Sequence, residues 1–582
     1  MGAFVANGNA DVTAEVKKAM SAGEFASAAD VGARLLKTHS RNTLLSVMTS
    51  VAEIHAKRFS RAGARLKRLI ADVSPSDQYF APILQNLHEY ARITGDFSAV
   101  VQVLESKRQK QNAHPIYSEA IANLVLERLN RQGMARLYSK DIFHAIELLE
   151  KLPADYPRAR EAKEVLARLY VHCEVTDKAF SLLTELVAAN PDDRALRLFQ
   201  LSALAISGEV EAAKKCALSL IDDYTDIGPR PYLVLCYLSP LALPENSEQV
   251  LEAYLADTRN PVIDRFQAAF ALGAMAESRN DMKTAFSRYQ TGHAISAAIA
   301  PYDINKDLTS FERIRALLDQ TVQHGEPRSM HKDEAPTPIF IVGMPRSAST
   351  LAESILGAHS DVHGAGEIGD FAHIVWEVTG VKDVADQMAK LGKAEIHEIR
   401  RRYLAALRGY APDARFVIDK NLGNLTRVGL IRMIFPTAPI VYMRRNPVAT
   451  CVSIYTTPFV NSMRYADNLD DLAAYYRAAE ELMTKFVDTD KHNTVFELEY
   501  ETLVAEPETV GRALFTHCGI NWDSSCLEFY RSEKVSRTAS MLQVRRPLNS
   551  DSVAKWRRFE PYIGPLMMLD DDHGAVQKMR AS

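Results

Sequence analysis

The strongest constraint on this fold is a spacing. Pro157 and Pro191 are 34 residues apart, and Phe25 and Phe59 are also 34 apart, with Phe97 following 38 later. From residue 10 to about 320 the chain keeps a helical pattern with sparse Gly and Pro, as in Leu166, Leu169, Tyr170 and Cys173. So long a helical stretch with a recurring period of this size calls for stacked helical pairs. Within one unit Ala179-Phe180 precede Leu183 and Leu186; the next offers Leu198, Leu201, Ala205, Gly208 and Ala213. A last unit places Ala285 and Phe286 at the start of a second helix. A small residue lets two antiparallel helices approach, and a bulky one fills the groove between them. One such pair cannot bury its own apolar face, so the pairs must stack. An unrelated helical bundle is the plainer alternative.

The texture changes after His324–Pro338, a polar stretch with three prolines that cannot continue a helix. Short apolar runs follow: Pro338–Val342, Phe416–Ile418, Ile440–Met443 and Val495–Tyr500. Helical segments separate them, which predicts a parallel sheet with helices on both faces. The expected organisation is a helical repeat domain over 1–323, a linker over 324–336 and an α/β domain over 337–582.

Composition limits the function classes. The 582 residues are too many for one ordinary core. A net charge of −4 argues against bulk affinity for nucleic acid. The six cysteines form no C-x-x-C pair, so neither a zinc site nor a redox dithiol is suggested, and no metal is expected. No basic-then-apolar leader and no span of about 18 apolar residues is visible, so the expectation is a cytoplasmic protein without a membrane span.

Two motifs carry chemistry. The first apolar run enters Gly343-Met-Pro-Arg-Ser-Ala-Ser-Thr350 and then a helix. Strand, glycine turn and helix aim several backbone N–H groups at an anion. The register matches the nucleotide phosphate loop, but Ser349 stands where that loop has its lysine. That weakens a kinase reading, which needs the lysine and a metal. Arg346, with the hydroxyls of Ser349 and Thr350, can hold a donor carrying a single phosphosulfate. The bland alternative is a tight turn with a helix cap at Ser347, Ser349 or Thr350. In the second motif, the run ending in Met443 leads into Arg444-Arg445-Asn-Pro447, with Ser453 eight residues after Arg445. Pro447 suits the first turn of a helix. Arg445 and Ser453 then lie together on the carboxyl edge of the sheet, where they can bind a second phosphate.

The pair of motifs resembles the sulfotransferase superfamily, with its 5′-phosphosulfate and 3′-phosphate loops. VHGAGEIGDF, VIDKNLGNL, LEYETLV and RTASMLQVRRPLNSDSVAKWRRFEPY are similar to stretches of bacterial sulfotransferases linked to tetratricopeptide repeats, and more distantly of tyrosylprotein sulfotransferases. The helical units resemble degenerate tetratricopeptide repeats. The fold class this implies is α plus α/β: an all-helical tetratricopeptide-like array, then a P-loop-type α/β sulfotransferase domain with a parallel sheet.

The resemblance also implies roles. The donor is 3′-phosphoadenosine-5′-phosphosulfate (PAPS), held by Arg346, Ser347, Ala348, Ser349, Thr350, Arg445, Ser453, Tyr500, Ser540 and Lys555. Glu367, 21 residues after Arg346, is the general base, with His363 as its rival. Lys420 stabilises charge on the bridging oxygen, and Arg346 and Ser540 assist catalysis. Tyr500 has a buried core tyrosine as its alternative, and Trp556 reads as packing. The departure is Ala348, where the family loop carries glycine; a Cβ there resists a positive φ. The implied acceptor is a hydroxyl, with a protein or peptide tyrosine held by the repeats as the attractive case, and related transferases often form dimers. A carbohydrate or small-molecule acceptor stays open, as does a repeat scaffold with a degenerate transferase domain.

Overall fold

The computed structural model describes residues 12–110, 114–132, 139–173, 175–299, 301–321, 336–459, 463–531 and 553–570. The polar stretch at 322–335 therefore lies outside the described residues. The chain divides into two compact units, one of residues 1–133 and 140–182, the other of 134–139 and 183–582.

The first unit is built of helical hairpins. Ala14–Ser21 pairs with Phe25–Leu35, Thr43–His55 with Phe59–Asp72, and Phe80–Thr94 with Phe97–Lys110. Phe25, Phe59 and Phe97, the residues that set the sequence period, each open the second helix of a hairpin. The hairpins pack where side chains are missing. A Cβ on Gly32 would fall 2.2 Å from Thr49 Oγ1, and one on Gly63 would fall 2.4 Å from the Tyr90 ring.

The second unit begins with more hairpins, including Arg194–Ile206 with Val210–Asp223 and Val262–Ser278 with Met282–Ile299. Ala213 and Ala285, singled out as the small residues, are fully buried. Helix Ile304–Thr321 ends the helical array, and the sheet follows.

Five strands make that sheet: β1 (Thr337–Gly343), β2 (Val362–Gly364), β3 (Phe416–Asp419), β4 (Ile440–Arg444) and β5 (Val495–Glu499). Their order is β2-β3-β1-β4-β5 and every pairing is parallel. β2 was not anticipated: it has three residues, and only Val362 is apolar and buried. Side chains alternate between two cores, as the pleat requires. Ile339, Ile341, Val441 and Met443 pack with Leu351, Ile355 and Phe515 on one face. Phe340, Val342, Ile440 and Tyr442 pack on the other. Burial on both faces is why the strands read as unbroken apolar runs. The second core continues into the helical array through Phe266, Phe270, Phe286, Phe311, Ile314 and Leu318, so these helices and the sheet share one interior.

Candidate active site at the carboxyl edge of the sheet

Every strand delivers a polar residue to the same edge. Arg346 follows β1, Glu367 follows β2, Lys420 follows β3, Arg445 follows β4 and Tyr500 follows β5. The chain leaves β1 toward β2 on one side and leaves β4 toward β5 on the other. A crevice opens where such connections diverge, and ligands of open parallel sheets bind there.

The turn after β1 is tightly specified. Gly343 has φ 154°, and a Cβ there would meet Met443 O at 2.8 Å. Arg346 (φ 67°) and Ala348 (φ 74°) both take the left-handed conformation. Two non-glycine residues in that region within three positions store strain, and such strain concentrates at functional sites. Ala348 is thus the expected misfit: the position needs positive φ and has no glycine. Ser349 opens helix Ser349–Gly357, and Ala348 provides no side-chain cap. The turn is therefore not explained as a hydroxyl-capped helix start.

The structure brings Arg346, Arg445, Ser453 and Tyr500 together. Arg346 Nε donates to Ser453 Oγ at 3.0 Å, and Arg445 donates to the Arg346 carbonyl at 3.0 Å. The Arg445 guanidinium lies 5.1 Å from the centre of the Tyr500 ring, which is itself buried. Pro447 occupies the first turn of helix Pro447–Tyr455 as its sequence implied, with Asn446 Oδ1 capping the Ala449 N–H at 2.8 Å. Burial, and then the neighbouring Arg445 charge, push the Arg346 guanidinium down to about 10. Burial likewise lowers Arg445. Two cations pressed together in a half-buried wall gain from an anion placed between them. Ser347 fits that need: its hydroxyl is buried in the turn with no hydrogen-bond partner among the described residues. Ser349 and Thr350 are also buried. The donor set of hydroxyls, backbone N–H groups and guanidiniums fits a phosphate or sulfate ester.

Glu367 and Lys420 form the second group. Lys420 Nζ donates to Glu367 Oε1 at 2.8 Å; the lysine is fully buried and the glutamate side chain is 50% exposed. A buried ammonium beside a half-exposed carboxylate can stabilise developing negative charge while the acid stays accessible to an acceptor. His363 is exposed on β2. Lys555 is exposed at the start of the 3-10 segment Lys555–Tyr562, whose Trp556 is buried in the core. Ser540, Arg545 and Arg546 lie outside the described residues.

Sequence reasoning missed three supporting residues. Glu353, on helix Ser349–Gly357, is 1% exposed. Its Oε1 accepts from the Gly366 N–H at 2.9 Å, and its Oε2 stands 3.8 Å from Lys420 Nζ. A lone acid inside the apolar run LAESILG was the available signal. Asp419 is buried behind Lys420 and accepts from Tyr403 Oη at 2.7 Å, from the Asn421 N–H at 3.0 Å and from Asn424 Nδ2 at 3.2 Å. Arg444 points away from the Arg445 group to Glu497 (3.1 Å), Glu480 (3.2 Å) and Glu499 (3.5 Å). Burial works against its charge, but these carboxylates raise it above its ordinary value. Successive residues at a strand end face opposite ways, which separates the structural Arg444 from the site residue Arg445.

Among the described residues, no group of three or more His, Cys, Asp or Glu is arranged to hold a metal, and no helix is long and apolar enough to cross a membrane. Residues 338–524 match the model of the sulfotransferase family. A protein of Aquifex aeolicus (strain VF5) described as uncharacterized is 27% identical over 535 residues, covering 88% of this chain and 63% of that protein. Protein-tyrosine sulfotransferase 1 of Danio rerio is 25% identical over 235 residues, 38% of this chain and 65% of that protein. The chain thus spans a little under two thirds of the length of these relatives. Among solved structures, the sulfotransferase domain of the Synechococcus PCC 7002 olefin synthase is 18% identical with a TM-score of 0.30, covering 43% of this chain and 98% of that domain. The sheet-bearing part of the chain is a sulfotransferase-type α/β fold, and it follows an array of helical hairpins.

Proposed function

We propose that the chain is a PAPS-dependent sulfotransferase whose donor and transfer sites lie along the carboxyl edge of the five strands. The observation that carries this reading is the half-buried Arg346–Arg445–Ser453 cluster around a strained turn, with the buried Ser347 hydroxyl in that turn without a partner among the described residues. Arg346, Ser347, Ser349 and Thr350 would hold the phosphosulfate end, Arg445 and Ser453 the 3′-phosphate, and Tyr500 would wall the donor. When bound, PAPS supplies the sulfuryl group and a good leaving phosphate. Glu367 accepts the proton of the attacking hydroxyl. Lys420, held beside it, places positive charge where the bridging oxygen gains electrons.

The acceptor belongs to the same proposal. Two features support a protein or peptide tyrosine: the likeness to proteins named as protein-tyrosine sulfotransferases, and the helical array, since such repeats present extended binding surfaces. A test is transfer of labelled sulfate from PAPS to a lysate. Wild type should label discrete acceptors, and Glu367→Ala should reduce labelling by about 100-fold or more. Equal labelling by both would refute the assignment of the base. A second reading, a scaffold with a degenerate transferase domain, draws on the strain at Ala348; it predicts donor binding without transfer.

A further inference from the structure

Helix Pro447–Tyr455 carries Ser453, and its carboxyl end has carbonyls that no residue of the helix can satisfy. Two side chains from the helical array meet them. Tyr237, on helix Arg230–Leu238, donates its hydroxyl to Thr456 O at 3.0 Å. His293, on helix Met282–Ile299, places Nε2 2.8 Å from Tyr455 O. Thr457 Oγ1 donates to the Ser453 carbonyl at 2.6 Å and closes the same turn.

His293 is itself firmly held. It is 5% exposed. It stacks on Tyr455 with centroids 4.1 Å apart and meets Phe270 edge-on. Its Nδ1 lies 3.2 Å from Asp467 Oδ1. Asp467 also accepts from Arg464 Nε at 2.8 Å and Ser296 Oγ at 3.1 Å, and Arg464 donates to Ser296 O. Burial opposes the charge of Asp467, but the hydrogen bonds from His293, Arg464 and Ser296 prevail and hold its carboxyl below its ordinary value. Both ring nitrogens of His293 thus face acceptors.

We propose that His293 and Tyr237 are positioning residues for the donor. They clamp the carboxyl end of helix Pro447–Tyr455 and so fix the Ser453 hydroxyl for the 3′-phosphate. The helical array would then be part of the donor site's framework besides any role in acceptor capture. The inference rests on the donor reading above. Its logic is geometric: a displacement of about 1 Å at a binding group costs much of its contribution.

The test uses the full chain and two ligands, 3′-phosphoadenosine-5′-phosphate (PAP) and adenosine 5′-phosphate, which lacks the 3′-phosphate. His293→Gln should weaken PAP binding about tenfold and Tyr237→Phe about threefold, the losses expected when a buried and a more exposed hydrogen bond are removed. Neither should change affinity for adenosine 5′-phosphate by more than about twofold, within the scatter of uncoupled sites. In a Ser453→Ala background, His293→Gln should cost nothing further. Unchanged PAP affinity in both variants would overturn the clamp, as would parallel loss of both ligands, which signals general loosening. If wild type bound neither ligand, the donor reading itself would fall.

Discussion

At the scale of single residues, Ala348 is the most informative departure. Its φ of 74° is one that a residue with a Cβ adopts at a cost. Ala348→Gly should therefore stabilise the protein by roughly 0.5–1 kcal/mol, the relief of strain being offset by the freedom glycine gains on unfolding. Denaturant titration of the two proteins checks it; a less stable glycine variant would show that the turn is not strained there. Lys420 offers the matching catalytic test. Buried and bonded to Glu367, it should lose roughly 100-fold in turnover on change to Ala, with a smaller effect on donor affinity. A loss confined to affinity would reassign it to binding.

At the scale of elements, the ends of the strands decide the chemistry, and Asp419 shows how. It closes β3 and is fully buried just before Lys420. Burial pushes its carboxyl up to about 7, against the hydrogen bonds from Tyr403, Asn421 and Asn424. A group whose folded value lies above its unfolded one contributes stability that is complete below the unfolded value and lost as pH rises through the folded one. Wild type should therefore gain stability from this group between about pH 7 and pH 4, and Asp419→Asn should lack that slope. Stability measured against pH in both proteins checks it, and identical slopes would contradict it. The strands were legible in the sequence because burial on both faces leaves apolar runs, and Lys420 and Arg445 because each stands two residues after such a run; Glu367 follows no such run and was read from the resemblance alone. β2 escaped notice because three residues carry too little pattern. Tyr237 and His293 escaped because their partners lie 219 and 162 residues away along the chain, beyond any local spacing.

At the scale of the molecule, the change from helices to sheet and the packing of the core fall at different places. The proline-rich stretch at 324–336 marks the change in texture. Yet Phe286 stacks on Tyr455 and Tyr562, and Phe311, Ile314 and Leu318 share the core beneath the sheet. A fragment of residues 337–582 would expose that face. It should fail to give a cooperative thermal transition, whereas residues 183–582, one compact unit, should give one. Cooperative melting of the shorter fragment would contradict the shared core. The central claim is that the carboxyl edge binds a 3′,5′-phosphorylated adenosine through Arg346, Arg445 and Ser453. Calorimetric titration with PAP tests it most directly. Wild type should bind one equivalent, and Arg445→Ala should bind at least about thirtyfold more weakly, as expected for loss of a charged hydrogen-bonded contact. No binding by wild type, or undiminished binding by Arg445→Ala, would contradict the account.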